Sequence, residues 1–399
     1  MKAALDGITV VDLTRVLAGP TCTMLLADMG ARVIKVERPG GGDDTRAWGP
    51  PFVAGESAYF LSVNRNKESV ALDFRKPRGA AVLDGLLARA DVLVENFRPG
   101  TLERHGFGYR ALAGRYPRLV YCSLSGYGQT GPKRDMAGYD MVLQAEGGLM
   151  SITGAAEGPP YRVGVAVADL VAGLLAANGI VLALFARERT GAGQAVDVAL
   201  FDSVLALLSY QAGLALATGV PAARMGNAHP SIVPYDSFEA ADGLFVLAVG
   251  NDDQWQRMCH VAGLAQVAAD PRFRTNPDRV RNRDVLQPIL VDAFRARTRD
   301  AWLRDLQGAG VPCGAVRDIH EALADPQVAA RDMLQRIEHV TAGALSLLGL
   351  PIKLQGTPGA VRTPPPLLGQ HTRQVLEHDL GLPAGEIDAL EREGVIACP

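Results

Sequence analysis

The chain has 399 residues, 48% of them hydrophobic and 21% charged, with a formal net charge of -3. Such a composition belongs to a globular, core-forming protein of two or three domains, or of one large domain with an insertion, and its near-neutral balance gives no global case for a nucleic-acid partner. The five cysteines (Cys22, Cys122, Cys259, Cys313 and Cys398) are scattered without a CxxC pair or a metal-ligand spacing, which argues against a zinc site or a disulfide framework and suits a reducing compartment.

The N-terminal stretch carries Asp6 and Asp12 and no long apolar core, so no targeting signal is expected and the expected location is the cytoplasm. Residues 1–150 alternate strand and helix. Strands are predicted at Ile8–Leu13, Val33–Glu37, Ser69–Phe74, Asp91–Asn96 and Leu119–Leu124, with helices at Cys22–Met29 and Gly79–Arg89. Strands separated by helices predict an α/β fold, a parallel sheet with helices on both faces that takes its ligand at the carboxyl ends of its strands. After the first strand comes Thr14-Arg15-Val16-Leu17-Ala18-Gly19-Pro20, with neither a GxGxxG nor a P-loop pattern, so a dinucleotide is not indicated. Cations do fall at strand ends: Arg38, Arg75 with Lys76, and Arg98, with Arg104 following on the next helix. Singly each suits a solvated surface; together, at the ligand end of a sheet, they suit a polyphosphate.

The run from Val163 to Ile180 holds a single carboxylate, Asp169, among apolar and small residues. It is long enough with its continuation to Phe185 to raise a membrane span, but Asp169 and Asn178 lie inside it, and a buried helix with no membrane contact is expected. Two readings of Asp169 stand side by side. An Asp at the start of an apolar helix is commonly an N-cap. A helix N-terminus also lowers a carboxylate's pKa, and an ionised carboxylate in a dry pocket is a covalent nucleophile. Downstream, Ala195–Leu200 reads as a strand and a long helix is predicted to about Thr218. Leu244–Val249 reads as a strand, Gln254–Ala262 and Asp300–Gln307 as helices, Val311–Val316 as a short strand or turn, and Glu386–Glu393 as a terminal helix. The expected divisions are 1–221 for the first part of a large domain, 222–328 for a smaller α+β domain, and 329–399 for a linker and C-terminal segment.

The chain resembles the class III CoA-transferases, a family grouped with formyl-CoA transferase, carnitine CoA-transferase and α-methylacyl-CoA racemase. The carriers run nearly end to end: VLAGP (16–20), ADMGARVIKVERP (27–39), LDFR (72–75), ENFRPG (95–100), SGYGQTGP (125–132), AGYD (137–140), VADLVAG (167–173), RTGAGQAVDVALFDS (189–203) and GNAHPSIVPY (226–235) among them. The resemblance implies a Rossmann-like large domain completed by the C-terminal segment, a smaller domain, and two subunits interlocked as ring-like partners of a homodimer. It implies that Asp169 is the catalytic aspartate. It also implies that Val16, Leu17, Arg38, Leu72, Arg75, Asn96, Phe97, Arg98 and Arg104 hold coenzyme A, with Tyr139 beside the thioester site. No permanently bound cofactor and no metal are implied; the CoA thioester and a small carboxylic acid are substrates.

Two departures stand out. Arg75 replaces a lysine of formyl-CoA transferase. Of a glycine-rich lid only Gly250 remains, in Gly250-Asn251-Asp252-Asp253, which argues against formyl or oxalyl specificity. The implied reaction is transfer of CoA from a donor such as succinyl-CoA to a dicarboxylate such as glutarate, itaconate or mesaconate, through covalent intermediates on Asp169. An α-methylacyl-CoA racemase is the first alternative. It needs an acid/base pair, and the racemase GHD histidine is here Tyr139, a poor base at neutral pH. A CoA-binding protein without turnover is the second. Arg46 and His229 are candidates for an acceptor carboxylate, beside bland readings as a solvated loop charge and a hydrogen-bonded loop histidine.

Overall fold

The computed structural model describes residues 2–399. Its strands, in chain order, are β1 (Thr9–Asp12), β2 (Arg32–Glu37), β3 (Phe52–Val53), β4 (Glu56–Ser57), β5 (Lys67–Leu72), β6 (Val92–Glu95), β7 (Val120–Ser125), β8 (Ala195–Ala199), β9 (Tyr235–Ala240), β10 (Gly243–Ala248), β11 (Cys313–Ala315), β12 (Leu334–His339), β13 (Gly343–Leu348) and β14 (Ile396–Ala397). The chain divides into two compact units. One comprises Met1–Leu149, Val163–Ala212 and Pro326–Pro399; the other comprises Met150–Arg162 and Gly213–Asp325. The expected divisions were after 221 and 328, with 150–162 kept in the large domain.

The first unit is built on a seven-stranded sheet of order β14-β5-β2-β1-β6-β7-β8. Six strands run parallel, and β14 is antiparallel to β5. Successive strand residues enter opposite faces, because the pleat has period two. Val10 and Val33 join a core with Cys22, Leu26, Ala172, Ala176 and Ile180. Val11, Ile34 and Val36 join a second core with Leu83, Leu86, Val375 and Leu376. A sheet covered on both faces needs strands that are largely apolar on both, which is why the strands were legible as Val/Ile/Leu-rich stretches, although Lys35 lies inside β2. Each such side chain contributes about 1.5–3 kcal/mol when fully buried.

The chain fills one side of β1 with β2 and β5, then crosses to the other side with β6 and β7. The reversal opens a crevice beyond the carboxyl ends of β1 and β6, the place where such sheets take ligands.

Several elements differ from expectation. The first helix starts at Ala18 rather than Cys22, because Pro20 suits a first turn, where its missing N–H costs nothing. The strand expected at Ser69–Phe74 runs from Lys67 to Leu72, and Asp73 turns away to donate its N–H to Val395. The long helix expected to Thr218 is two helices, Leu200–Leu207 and Ser209–Thr218, bent by 74°. Ser209 sits at the break with φ +44, a conformation a continuous helix cannot contain. The helix expected to be buried, Val167–Thr190, has one face in the core and another exposed.

The second unit carries an antiparallel sheet of order β11-β10-β9. Its core gathers Phe238, Phe245, Trp255, Phe294 and Trp302. The polar, Arg-rich stretch 265–300 folds as several helices, the longest being Arg283–Phe294.

Candidate active site

The helix Val167–Thr190 carries Asp169 in its first turn, and Ala166 at the N-cap supplies no side-chain cap. The capping comes from elsewhere. Asp140 Oδ1 accepts the Ala168 N–H at 2.8 Å, and its Oδ2 accepts Gln144 Nε2 at 2.7 Å. Gln144 Oε1 in turn accepts the Val163 N–H at 2.9 Å. The N-cap reading of Asp169 is therefore corrected: Asp140 has that task, and no hydrogen bond to the Asp169 carboxyl is found among the described residues.

The expected lowering of the Asp169 pKa is corrected as well. Burial, with the Asp140 carboxylate nearby, pushes it up to about 7. Desolvation penalises the charged form and a like charge adds to the penalty; together they outweigh the helix N-terminus. Perturbed carboxyls of this kind concentrate at functional sites.

Gly173 sets where this carboxyl lies. It is one turn after Asp169 and so shares its helix face. A Cβ there would stand 2.6 Å from the Ala18 carbonyl oxygen, so the helix rests directly on the first turn of Ala18–Asp28. A second close approach, between Gly126 and Gly138, brings the Tyr139 loop to the end of β7; a Cβ on Gly126 would stand 2.8 Å from Gly138 Cα.

A cavity at the crevice between β1 and β6 collects Val16, Leu17, Asn96, Phe97, Arg98, Tyr139 and Asp169, together with Arg15 and Asp44. Asn96 is clamped to the backbone of Arg15: its Oδ1 accepts the Arg15 N–H at 2.9 Å, and its Nδ2 donates to the Arg15 carbonyl at 2.7 Å. The Arg15 guanidinium lies 5.2 Å from the centre of the Phe97 ring. Asp44 pairs with Arg15 at 3.4 Å and with Arg38 at 3.1 Å. An adjoining cavity, which shares Arg15 and Phe97, is lined by Arg38, Leu72 and Arg75 with Glu37, Asp43 and Phe74. Arg75 is folded onto Asp73 at 2.7 Å and stays largely exposed. Nine of the ten positions expected to meet CoA thus line one of two neighbouring cavities. Arg104 lines neither, and its guanidinium meets Thr101 Oγ1 at 3.3 Å.

The acceptor and lid positions are placed differently. Arg46 is 11% exposed, bound to both Glu37 oxygens at 2.7 Å and stacked 3.6 Å over the Phe60 ring. That commits its guanidinium to the fold and corrects the idea that it greets a second carboxylate. His229, Gly250 and Asn251 belong to the second unit. His229 Nδ1 accepts the Ser231 N–H at 3.0 Å, and burial lowers its pKa with Arg283 adding to the effect. Asn251 caps the helix Asp252–Val261 through the Gln254 N–H, and Gly250 donates to Gln254 Oε1 at 2.7 Å.

Sequence reading missed Arg15, the Asp43–Asp44 pair and the capping role of Asp140. The signal for Arg15 was its place directly after the first strand; the capping by Asp140 had none, because it acts across distant segments.

The chain is similar to known proteins over nearly its whole length. Residues 5–372 match the family described as CoA-transferase family III. The succinyl-CoA:glutarate CoA-transferase of Mus musculus is 44% identical over 392 residues, spanning 98% of this chain and 90% of that protein. The succinate–glutarate CoA-transferase of Agrobacterium fabrum is 43% identical over 398 residues, spanning 98% and 97%. A CAIB/BAIF family protein from Brucella suis superposes with a TM-score of 0.84 at 41% identity, over 95% of this chain and all of that one. On full-length similarity at these identities, the chain belongs to CoA-transferase family III.

Proposed function

We propose that the chain moves CoA from succinyl-CoA to a free dicarboxylic acid, such as glutarate, itaconate or mesaconate. The observation that carries the reading is the Asp169 carboxyl, without a hydrogen-bond partner among the described residues, at the wall of a cavity that also presents Arg15 and Arg98. The donor and the dicarboxylate class follow the names of the mouse and Agrobacterium relatives. CoA is a substrate here and not a resident cofactor. Arg38, Arg75 and Arg98 meet its phosphates; Val16, Leu17, Leu72 and Phe97 offer it apolar surface, Asn96 holds the wall, and Tyr139 stands beside the thioester. Arg104 joins this set on resemblance alone.

An Asp169 oxygen attacks the thioester carbonyl; the tetrahedral oxyanion collapses, CoA leaves as thiolate, and a mixed anhydride remains. The thiolate attacks the aspartyl carbonyl and releases the donor acid, leaving an aspartyl-CoA thioester. The acceptor carboxylate attacks that thioester, expelling thiolate and forming a second mixed anhydride. The thiolate then takes the acceptor's acyl carbon and frees Asp169. A covalent carboxylate thus divides one difficult exchange into easier steps. Water must be kept out while an anhydride stands, and backbone N–H groups beside the carboxyl stabilise each oxyanion.

Two copies of the chain form the working enzyme in this reading, as interlocked partners. The support is the outer face of the helix Val167–Thr190, where Leu174, Leu182 and Phe185 are 51%, 60% and 56% exposed. That helix is long and apolar enough to cross a membrane by composition. Its Asp169 end lines the cavity, and near its other end Arg187 is paired with Asp91 at 2.9 Å, so a second protein surface suits it better than lipid. All five cysteines are free thiols, in keeping with a cytoplasmic setting.

Peptide mass spectrometry after incubation with succinyl-CoA and hydroxylamine tests the chemistry. A modification on Asp169 that is absent from Asp169→Ala is the expected result. No adduct, with solvent exchange of the α-proton of a 2-methylacyl-CoA, would replace the transferase reading with a racemase.

A further inference from the structure

Beneath the turn that follows β1 lie two charges that the exchange chemistry does not use. Lys35, inside β2, and Asp43 have fully buried side chains and pair at 2.9 Å. Each also holds one end of the turn. Lys35 Nζ donates to the Thr14 carbonyl at 2.8 Å. Asp43 Oδ1 accepts the Val16 N–H at 3.2 Å and is itself held by the Thr45 N–H at 3.0 Å and the Thr45 hydroxyl at 2.8 Å. Between these two anchors Val16 sits at φ +71. A β-branched residue in the left-handed region is an outlier that persists only where its surroundings over-determine it, and such strain gathers at functional sites. Removing two charges from water is also costly, and pairing offsets that cost only where geometry and further hydrogen bonds are good.

Val16, Leu17 and Ala18 line the cavity together with Asp169. Leu17 is the N-cap of the Ala18–Asp28 helix and gives it no side-chain cap. Gly173 rests against the Ala18 carbonyl. The conformation of Val16 therefore sets how the start of one helix faces the carboxyl carried by another.

We propose that Lys35 and Asp43 are positioning residues for the CoA exchange: their ion pair locks the Thr14–Leu17 turn, with Val16 left-handed, and so preforms the cavity wall beside Asp169. The proposal rests on the transferase reading. Both side chains are fully buried and act on the cavity through the turn they hold. Without the pair, Val16 relaxes toward negative φ and the Val16–Leu17 peptide turns. Displacements of about 1 Å in a positioned site cost on the order of 100-fold in rate.

The test uses Lys35→Met with Asp43→Asn in one chain, so that no lone charge is left buried. The expected result is a folded protein whose single-turnover rate of aspartyl-CoA formation is lower by ~10- to 100-fold, with the KM for acyl-CoA changed by less than about threefold, since both substituted side chains are fully buried and Arg38, Arg75 and Arg98 are kept. Adding Val16→Gly restores several-fold of that rate, because glycine adopts positive φ without restraint, whereas the same substitution in the native chain gives no gain. An unchanged rate in the paired variant overturns the proposal, as does a Val16→Gly effect equal in both backgrounds. Thr45→Val is the second variant, for the case that the paired one fails to fold; it removes only one hydroxyl from Asp43. A fall of a few-fold in kcat at constant KM supports the proposal, and native kcat overturns it. A crystal structure of the folded variant reads the turn without any activity: Val16 at negative φ supports the lock, and Val16 unchanged sinks it. Failure of the native protein to label Asp169 would sink the transferase reading and leave that structural result standing.

Discussion

Asp169 keeps its carboxyl where ionisation is unfavourable, and both its reactivity and its cost to the fold follow from that. Attack on a thioester needs the carboxylate, and burial beside Asp140 moves its pKa from 3.8 to about 7. The kcat/KM for acyl-CoA should therefore rise with pH up to about 7 and level off above it, as measured in initial rates from pH 5 to 9. The sign for stability is the reverse. With the folded pKa above the unfolded one, the native state binds more protons between about pH 4 and 7. The group's stability is full below that window and is lost as pH rises through the folded pKa. Asp169→Asn removes the penalty, so its advantage over the native chain in urea midpoint should be small at pH 5 and larger at pH 8. An equal advantage at both values would mean that the pKa is not raised. The carboxylate was legible in sequence because it interrupts an apolar run. Its pKa was not, because the burial and the Asp140 charge come from segments that only the fold assembles.

The helix Val167–Thr190 reaches its place by giving up side-chain volume. Gly173→Ala would put a methyl 2.6 Å from the backbone oxygen of Ala18, and neither helix backbone can yield locally. The strain of such overpacking, about 1–3 kcal/mol, exceeds the ~1 kcal/mol that alanine gains over glycine in a helix. Urea denaturation should show a net loss, and kcat should drop about tenfold or more as Asp169 moves. Gly114, in the helix Tyr109–Arg115, has open space around its missing Cβ, so Gly114→Ala should stabilise slightly and leave kcat alone. If both substitutions behave alike, propensity governs and the close approach does not. The same contrast explains what was legible at this scale. The parallel strands announce themselves as Val/Ile/Leu runs because both of their faces are covered. The β12–β13 hairpin was missed although β13 alternates as β10 does, with Leu345 and Leu347 buried and Leu348 exposed. The break at Ser209 was missed because Leu205 to Leu216 is apolar on both sides of it, and apolar residues alone cannot tell one straight helix from two bent ones.

At the scale of the whole molecule the decisive feature is a helix with two apolar faces. Ala172, Ala176, Ile180 and Ala183 face the core, and Leu174, Leu175, Val181, Leu182 and Phe185 face outward. The outward positions recur at three, four and seven residues, the spacing of a stripe that packs against something. Isolated apolar side chains on a surface need no partner, but a continuous stripe does. The resemblance led to the expectation of two interlocked subunits, and the proposed occupant of this stripe is a second copy of the chain. Light scattering at micromolar concentration should therefore report twice the 42.2 kDa of one chain. Leu182→Glu with Phe185→Glu places two charges on the stripe and should yield monomers or aggregates with little exchange activity, while Asp169→Ala, equally inactive, stays dimeric. Because the helix that would pair is also the one that carries Asp169, loss of the dimer should lower kcat as well as change mass. A native chain that runs as an active monomer would leave the stripe without an occupant and overturn the dimer.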